Sequence, residues 1–409
     1  MYPVEKDKPN MLKFSQAEGF LPQAEMLEIK KQRVNFSIGV PKEIAFQENR
    51  IALVPEAVGM LINNGHNVLI ESNAGKAAHF PDHEYSEAGA TIVYSPEEVY
   101  KANVILKVAP PILSEIEYLQ PRQVVFSALN LPGQTEEYFK RLIARKITAI
   151  SYEHIKDKTN SFPVIRSMSE IAGNTAILVA SEYLASPEYG RGKMLGGFSG
   201  IAPTEVVILG AGTVAEYATR SAMGLGALVK VFDDSIYKLR SIQNRVNAQL
   251  FTSVLQQKVL LKALRTADVA IGALHSIEGR TPCVVSEDMV KEMQYGSVIV
   301  DVSIPQGGCF ETSRVTNHTH PVYKKHGVTH YCVPNIASRV PHTASFALSN
   351  FFAPIMNQIG DSGGISAVLK MDPGIRHGVY LYQGIMTNRY IAESFSLPWK
   401  DIDLLMAAF

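Results

Sequence analysis

The sequence predicts an α/β protein with two domains, each built on a parallel sheet covered by helices, and a cleft between the domains. Its 409 residues exceed the usual size of one domain. Short apolar runs alternate with helical segments along most of the chain, which is the pattern of parallel sheets. A strand, a Gly-rich turn and a helix restart the series near residue 204. A cleft between two such domains is the usual place for a small-molecule site.

Composition excludes several classes of protein. The formal net charge is zero, so neither nucleic acid nor an anionic membrane is favoured as a partner. The cysteines Cys283, Cys309 and Cys332 are widely spaced without a CxxC, which argues against a disulfide framework and a zinc site. No apolar run reaches the roughly 20 residues that span a bilayer, and the first residues lack the apolar core of a signal peptide. We therefore expect a cytoplasmic protein.

Residues 1–35 are predicted to be an N-terminal extension. The stretch "SQAEGFLPQAEMLEIKKQRVN" could hold one amphipathic helix. An exposed tail or an oligomer contact is the favoured interpretation, because no chemical motif occurs there.

Residues 36–165 are predicted to form the first part of a substrate domain. "NFSIGV", "ANVILKVAPP" and "RQVVFSALN" have the apolar content of short buried strands. "PEAVGMLINNGHNVLIESN" indicates a helix, a Gly turn and a strand. The alternation predicts a parallel sheet.

Residues 166–340 are predicted to form the second domain, and residues 341–409 to return to the first as C-terminal helices. "TEVVILGAGTVAEYATRSAMGLGALVKVFDD" begins the second series, and "ADVAIGAL", "GSVIVDVS" and "VTHYCVPN" supply further strands. The helical predictions for the last part are "TASFALSNFFAPIMNQIG" and "GVYLYQGIMTNRYIAESF".

A dinucleotide-binding motif opens the second domain. Gly210, Gly212 and Ala215 form GxGxxA between a strand and a helix. The first glycine permits the tight turn, the second lets the backbone approach the pyrophosphate, and Ala215 keeps helix and strand close. Asp233 ends the next strand, where a carboxylate binds the adenosine ribose and favours NAD over NADP; the adjacent Asp234 is the competing candidate. We therefore expect Rossmann-like domains and NAD as the cofactor.

Long motifs in the same order resemble the alanine dehydrogenase and nicotinamide nucleotide transhydrogenase α family over roughly residues 36–409. They are "GVPKEIAFQENRIALVPEA", "ILKVAPP", "SMSEIAGNTA", "VVILGAGTVA", "VDVSIPQGGCFETSR", "YCVPNIAS" and "GVYLYQGIMTN". "QGGCFETSR" and "YCVPNIASRVPHTAS" look like the alanine dehydrogenase branch. The resemblance implies reversible conversion of L-alanine, NAD and water to pyruvate, ammonia and NADH. It also implies a homo-oligomer, possibly a hexamer.

The resemblance implies a substrate site. Arg50 matches the carboxylate-binding arginine, and Arg suits that task because it binds carboxylates bidentately. Lys107 matches a substrate-binding lysine, and its place at the end of an apolar strand also argues against a solvated surface charge. Met168 and Asn335 match residues near the substrate and the nicotinamide, and we expect Gln306 to point at the cleft.

The resemblance also extends the cofactor site. Ser169 and Leu274 match residues around the nicotinamide, and Asn335 matches one between nicotinamide and substrate. Lys238 matches a residue near the adenosine ribose. With the glycine motif and Asp233, these residues complete the expected NAD site.

Two positions depart from alanine dehydrogenases. Asn130 stands where the family has a catalytic histidine, and Pro305 stands where it has an aspartate before the QGG motif. Asparagine can hydrogen-bond a substrate oxygen but cannot carry a proton near neutral pH. Lys107, if burial lowered its pKa, is one candidate base, and His275 and His342 are others. Asn130 itself stays a candidate catalytic residue.

Three functions remain open. The first is an alanine dehydrogenase-like enzyme acting on an amino acid or 2-oxo acid, with altered proton chemistry. The second is a transhydrogenase-type NAD(H) domain, although Ile155, Asn160 and Pro163 do not match that branch's Arg…Gln…Asp loop. The third is an NAD(H)-binding sensor or scaffold without turnover.

Two further features of the sequence are weaker indications of function. His318 and His320 are spaced like metal ligands but lack a third ligand group, so no metal is expected. Cys309 is expected to be a small buried side chain rather than a nucleophile.

Overall fold

The computed structural model describes residues 33–276 and 279–408. The predicted extension lies outside the described residues except for residues 33–35. The strands are β1 (Ser37–Val40), β2 (Asn67–Glu71), β3 (Thr91–Val93), β4 (Val104–Leu106), β5 (Val124–Ser127), β6 (Thr148–Ser151), β7 (Glu205–Leu209), β8 (Leu228–Phe232), β9 (Phe251–Ser253), β10 (Val269–Gly272), β11 (Val298–Asp301), β12 (Val322–Lys325), β13 (Val328–Tyr331), β14 (Val379–Tyr382) and β15 (Ile385–Met386).

Helices connect and cover these strands. They are α1 (Pro55–Asn63), α2 (Asp82–Glu87), α3 (Pro96–Val99), α4 (Leu113–Ile116), α5 (Glu136–Ala144), α6 (Pro163–Ala185), α7 (Thr213–Gly224), α8 (Ile236–Val246), α9 (Gln257–Thr266), α10 (Glu287–Lys291), α11 (Pro341–Asp361), α12 (Ile365–Met371), α13 (Pro373–His377), α14 (Arg389–Ser394) and α15 (Ile402–Ala408).

The first sheet has the strand order β15-β14-β6-β5-β4-β1-β2-β3 in the described part of the chain. The pairs among β1 to β6 are parallel, and β14 and β15 add two antiparallel strands at one edge. Every residue of β4, β5 and β6 is buried. Helices on both faces therefore exclude water, which explains why these strands are continuous apolar runs rather than alternating ones.

The second sheet has the order β12-β13-β11-β10-β7-β8-β9 among the described residues. All its pairs are parallel except β12 with β13. The chain leaves β7 in one direction to β8 and β9, and returns on the other side of β7 with β10 and β11. The strand order therefore reverses between β7 and β10, where open α/β sheets bind ligands at the carboxyl ends of their strands. The predicted α/β fold with two Rossmann-like domains is confirmed.

One long helix, α6, joins the two domains. Val164 in its first turn belongs to the core of the first domain, whereas Ala172, Ala176 and Ala180 belong to the core of the second. The helix also packs against α7 and α11. The boundary predicted between residues 165 and 166 thus falls inside a continuous helix.

The helical prediction for "GVYLYQGIMTNRYIAESF" is wrong for its first half. Val379–Tyr382 and Ile385–Met386 form β14 and β15, and only Arg389–Ser394 is helical. Val379, Tyr380, Tyr382 and Ile385 in this half are of types that favour strands. Gly384 supplies the positive φ of 82° within the turn that joins the two strands.

Candidate active site

A cavity of about 960 Å³ lies where the strand ends of the two sheets face each other. Its walls come from segments that follow β1, β4, β5 and β6 in the first domain, and β10, β11 and β13 in the second. The lining residues include Glu48, Arg50, Val108, Ala109, Asn130, Tyr152, Glu153, Met168, Ser169, Val214, Leu274, His275, Ser303, Pro305, Gln306 and Asn335.

Arg50 forms a bidentate pair with Glu48 inside the cavity wall. Its Nε donates to Glu48 Oε1 at 2.7 Å, and its Nη2 donates to Oε2 at 2.6 Å. Burial alone would raise the pKa of Glu48, but the guanidinium beside it holds that pKa below its ordinary value. Burial likewise opposes the charge of Arg50, and Glu48 raises the pKa of Arg50 above its ordinary value. Both groups are therefore charged at neutral pH.

The other edge of the Arg50 guanidinium remains available to a ligand. Glu48 takes Nε and one Nη2 hydrogen, whereas Nη1, among the described residues, donates only to the sulfur of Met168, at 3.4 Å. A guanidinium has five N–H donors and can bind two carboxylates on different edges. Glu48 thus orients Arg50 without consuming its capacity for a substrate carboxylate.

The second domain helps to hold this pair. Asn335 Nδ2 donates to Glu48 Oε2 at 2.9 Å, and the Ser338 hydroxyl donates to the Gln47 carbonyl at 2.9 Å. Asn335 has a φ of 56°, a left-handed conformation that asparagine tolerates better than most residues. The predicted role of Asn335 at the substrate is thus accompanied by a bond to the carboxylate that orients Arg50.

Lys107 is buried, but it does not line the cavity. Its Nζ donates to Glu115 Oε1 at 2.8 Å and lies 3.2 Å from Glu43 Oε2. The cavity wall at this strand end is formed instead by Val108 and Ala109.

The expectation that a desolvated Lys107 is a base is wrong. Burial lowers the pKa of Lys107, but the carboxylates of Glu43 and Glu115 outweigh it and raise the pKa above its ordinary value. Burial raises the pKa of Glu43, although Lys107 and the Val108 N–H oppose the rise. Two carboxylates thus share one ammonium, which keeps its proton at neutral pH.

The glycine motif leaves room for a dinucleotide. Gly210 has a φ of 112°, and a Cβ there would lie 2.4 Å from the Ala273 carbonyl oxygen, so the turn requires glycine. A Cβ on Gly212 would meet no atom within 4 Å, so the space in front of α7 is open. Ala215 is fully buried in the second-domain core, against the sheet. Open space at a helix N-terminus with unbonded N–H groups suits a pyrophosphate.

Asp233 rather than Asp234 faces this motif. Asp233 is buried, and its Oδ2 accepts from the Ala211 N–H at 2.9 Å while Oδ1 accepts from the Ser235 N–H at 2.8 Å. Asp234 is exposed. Each oxygen of Asp233 keeps a further lone pair for a ribose hydroxyl. Lys238 is exposed in the first turn of α8, which follows Asp233. These residues fit the adenosine half of NAD.

The nicotinamide side of the cavity is lined by the residues predicted for it. Ser169 on α6 and Leu274 after β10 both line the cavity, together with Val214 of the glycine motif. The Ser303 hydroxyl donates to the Leu274 carbonyl at 2.7 Å, which fixes this wall to the loop after β11.

A buried aspartate organises the loop after β11. Asp301 Oδ1 accepts from the Ser303 N–H at 3.1 Å, and Oδ2 accepts from the Cys309 N–H at 3.1 Å and from the Ser313 hydroxyl at 2.7 Å. Burial raises the pKa of Asp301 despite these bonds. Cys309 is fully buried beside it, so the expectation of a small buried side chain is confirmed.

Gln306 lines the cavity, but its amide is engaged elsewhere. Its Oε1 accepts from the Ser276 N–H and the Thr281 hydroxyl, each at 3.1 Å, and its Nε2 donates to the Ser276 carbonyl at 2.9 Å. Gln306 therefore ties the segment after β10 to the loop after β11, and one amide hydrogen is left for a ligand.

Asn130 and Pro305 both line the cavity, on opposite domains. Asn130 has a φ of 44° and begins the short 3₁₀ turn Leu131–Gly133. His275 also lines the cavity, and burial, with the nearby charge of Lys238, lowers its pKa. His342 instead stacks on Phe80 with ring centroids 4.6 Å apart. Of the three candidate bases, only His275 reaches the cavity wall.

Sequence reasoning missed Glu48, Tyr152 and Glu153. The last two directly follow β6 in "SYEH", and the Tyr152 hydroxyl donates to the Val108 carbonyl at 2.8 Å. The missed signal is a general one: polar residues at the carboxyl end of a buried parallel strand face the ligand cleft.

The two spaced histidines, His318 and His320, lie in the segment between β11 and β12. The His318 N–H donates to Gln47 Oε1 at 2.6 Å and so links the two domains. Within the described residues no group of three or more His, Cys, Asp or Glu side chains could hold a metal ion. In the same residues, no helix combines the length and the apolarity that crossing a membrane requires.

The fold and cavity define a two-domain α/β protein with a dinucleotide motif at the strand-order reversal of its second sheet. Two family models match it. "Alanine dehydrogenase/PNT, N-terminal domain" matches residues 39–172, and "Alanine dehydrogenase/PNT, C-terminal domain" matches residues 176–389. The chain belongs to the alanine dehydrogenase/PNT family, a family of NAD-dependent oxidoreductases.

Individual relatives agree with this assignment. The chain is 39% identical over 368 residues to an alanine dehydrogenase of Methanococcus maripaludis and 35% identical over 367 residues to one of Staphylococcus saprophyticus; each match covers 90% of this chain and 98% of the relative. The solved structure of an L-alanine dehydrogenase has a TM-score of 0.82 at 35% identity, covering 88% of this chain and 99% of that one. A transhydrogenase from Sinorhizobium meliloti shares the fold, with a TM-score of 0.73 at 23% identity over 87% of this chain and 99% of that one.

Proposed function

We propose that this protein is an NAD-dependent dehydrogenase that interconverts L-alanine with pyruvate and ammonia. The observation that carries the proposal is Arg50, which lines the cavity with one guanidinium edge fixed by Glu48 and the other edge available. A small 2-oxo or 2-amino acid brings the carboxylate that such an edge binds bidentately.

The cofactor site supports the same proposal. Gly210, Gly212 and Ala215 would hold the pyrophosphate, and Asp233 the adenosine ribose. When bound, NAD would supply a hydride acceptor at the cavity wall formed by Ser169 and Leu274. Because β7 and β10 pair in parallel, the glycine turn after β7 and the Leu274 segment after β10 lie at the same edge of the sheet.

The residues of the chain then position the substrate and exclude water. Arg50 fixes the carboxylate, and Asn335 steadies Glu48 behind it. Asn130 can donate or accept a hydrogen bond at the substrate, but it cannot transfer a proton. A general acid/base contributes roughly 10²–10⁴-fold in rate, so we propose slower turnover than a site with the family's histidine would give.

The test is spectrophotometric. NADH oxidation is followed with pyruvate plus ammonium, and NAD reduction is followed with a panel of L-amino acids. Turnover with alanine and pyruvate supports the proposal. Tight NADH binding without turnover on any of these substrates would contradict it.

A second candidate function is NAD(H) binding without turnover, as in a sensor or scaffold. The specific observation in its favour is that Asn130 and Pro305, on facing walls of the cavity, both lack a titratable group. Under this alternative, pyruvate binds to the NADH-loaded protein in a manner that depends on Arg50, while no NADH is consumed. A transhydrogenase-type role would be tested by assaying hydride exchange with a proton-translocating membrane partner.

A further inference from the structure

Glu153 is a carboxylate in the cavity wall, and in the described part of the chain it forms no ion pair. It is partly buried and lies in the 3₁₀ turn Tyr152–His154 that follows β6. The other carboxylate of the wall, Glu48, is neutralised by Arg50. Among the described residues no ion pair involves Glu153. A partly desolvated carboxylate without a counter-charge favours a cationic ligand.

One oxygen of the Glu153 carboxylate holds the side chain in place through a hydrogen bond. Oε2 accepts from the Leu129 N–H at 3.0 Å, directly before Asn130. Oε1 has no hydrogen-bond partner among the described residues. The carboxylate therefore has one anchored oxygen and one oxygen with its acceptor capacity available.

Glu153 and Arg50 line the same cavity. Tyr152 lies in the wall, and its hydroxyl is fixed to the Val108 carbonyl. Burial raises the pKa of Tyr152, Arg50 lowers it, and Glu153 raises it. Arg50, Tyr152 and Glu153 line the same cavity, so a small amino acid bound there has a cationic and an anionic side chain available to it.

We infer that Glu153 is the subsite for the amino group of the substrate. Its carboxylate accepts hydrogen bonds from the ammonium of L-alanine, or from ammonium ion in the reverse reaction, while Arg50 binds the carboxylate. The Asn130 side-chain oxygen, one residue from the anchoring N–H of Leu129, can accept a further N–H. This inference rests on the proposed function and names the residue that recognises nitrogen.

The inference separates ligands with an amino group from ligands without one. Glu153→Gln keeps the volume and an oxygen that can accept from Leu129, but it removes the charge. When a hydrogen bond to a charged group loses that charge, binding weakens by roughly 10- to 100-fold. We expect the Kd for L-alanine and the apparent KM for ammonium to rise by about that factor. The Kd for pyruvate with the NADH-loaded protein should stay within about twofold of the wild-type value.

The experiment compares wild type, Glu153→Gln and the control Glu137→Gln. Glu137 is an exposed residue of α5 that pairs with Arg141 at the surface. Titration calorimetry measures L-alanine with NAD present and pyruvate with NADH present, and steady-state rates give the KM for ammonium and pyruvate separately. Circular dichroism and thermal unfolding establish that each variant is folded.

Selective weakening of L-alanine and ammonium in Glu153→Gln, with Glu137→Gln unchanged, supports the inference. Equal weakening of pyruvate and L-alanine, or no change in either, overturns it while leaving the proposed function intact. Failure of the wild-type protein to bind either ligand overturns the proposed function, and the inference with it.

Discussion

At the residue scale, the pairing of Arg50 with Glu48 determines what the cavity can recognise. The glutamate fixes the plane of the guanidinium through two hydrogen bonds, so the remaining edge meets a ligand without a large loss of side-chain freedom. Lysine cannot reproduce this arrangement, because its ammonium is a compact point charge without a planar fork.

The first prediction concerns this geometry. Arg50→Lys keeps the charge but loses bidentate binding, so the KM for pyruvate should rise by roughly 10- to 100-fold with NADH affinity unchanged. Steady-state kinetics and NADH fluorescence titration measure the two quantities. A wild-type KM in the variant would show that Arg50 does not contact the substrate.

A second prediction concerns Lys107, whose buried ammonium forms ion pairs with Glu43 and Glu115 and stabilises the fold. Lys107→Met leaves Glu43 and Glu115 buried without their cation, and breaking such a pair costs about 3–5 kcal/mol. Urea unfolding measures the loss. The control is Lys140→Met, which removes an exposed pair with Glu136 and should leave the free energy of unfolding almost unchanged; equal effects would contradict the prediction.

A third prediction concerns His330, a buried histidine of β13. Its Nδ1 is 3.0 Å from the Val328 carbonyl and its Nε2 is 2.8 Å from the Thr312 hydroxyl, so the neutral ring satisfies both. Burial lowers its pKa to about 4, below the ordinary value of about 6.5.

The unfolded chain therefore binds the His330 proton more readily than the folded protein between pH 6.5 and 4. The stabilisation is complete above about pH 6.5 and is lost as the pH falls towards 4, at up to about 1.4 kcal/mol per pH unit. The free energy of unfolding of the wild type should thus fall more steeply across this window than that of His330→Gln. Parallel curves would show that His330 titrates normally.

At the scale of elements, the contact between α6 and α7 holds the long helix against the nucleotide-binding sheet. Gly173 on α6 has no side chain at this contact, and a Cβ there would lie 2.4 Å from the Val214 carbonyl oxygen and 2.9 Å from the Ala218 nitrogen. Both are backbone atoms of α7, so neither can move unless the helix moves.

The fourth prediction follows from that contact. Glycine to alanine normally stabilises a helix by up to about 1 kcal/mol, but Gly173→Ala should destabilise the protein by about 1–3 kcal/mol because it forces the helices apart. Gly224→Ala, at the end of α7, meets no atom within 4 Å and should be neutral or stabilising. Thermal unfolding compares the two variants, and effects of the same sign would contradict the prediction.

How much could be predicted also varies with the element. The strand, glycine turn and helix around Gly210 were predicted because each part is local and its residues have few alternatives. The hairpin at Val379–Tyr382 was missed because its helical alternative has a similar apolar content and its partner, β6, is distant in sequence. The partners of Lys107 were missed for the same reason: Glu43 lies in another segment, and a sequence does not reveal which charges meet on folding.

At the scale of the whole molecule, the two domains are connected through the cavity rather than only through α6. Gln47 bonds to His318 and Thr319, and Glu48 bonds to Asn335. The wall that holds the substrate arginine is thus built from both domains. A ligand that orders one wall will also stabilise the other.

The fifth prediction concerns the stabilisation of the whole protein by its dinucleotide. NAD at 100 times its Kd should stabilise the protein by about 2.7 kcal/mol, which a thermal-shift measurement detects as a rise in Tm. NADP at the same concentration should give a smaller rise, because the Asp233 carboxylate repels a 2′-phosphate. Equal shifts for the two dinucleotides would show that Asp233 does not face the ribose.

The strand order of the first sheet has a consequence for how the chain is made. β14 pairs beside β6, yet the whole second sheet is synthesised between them. At about 5–20 residues per second, the edge of β6 waits roughly 10–50 s for its neighbour to leave the ribosome, while the second sheet, continuous in sequence, can already close. An uncovered strand edge is a template for wrong pairing. We therefore expect the edge of β6 to be open to wrong pairing until β14 has been synthesised.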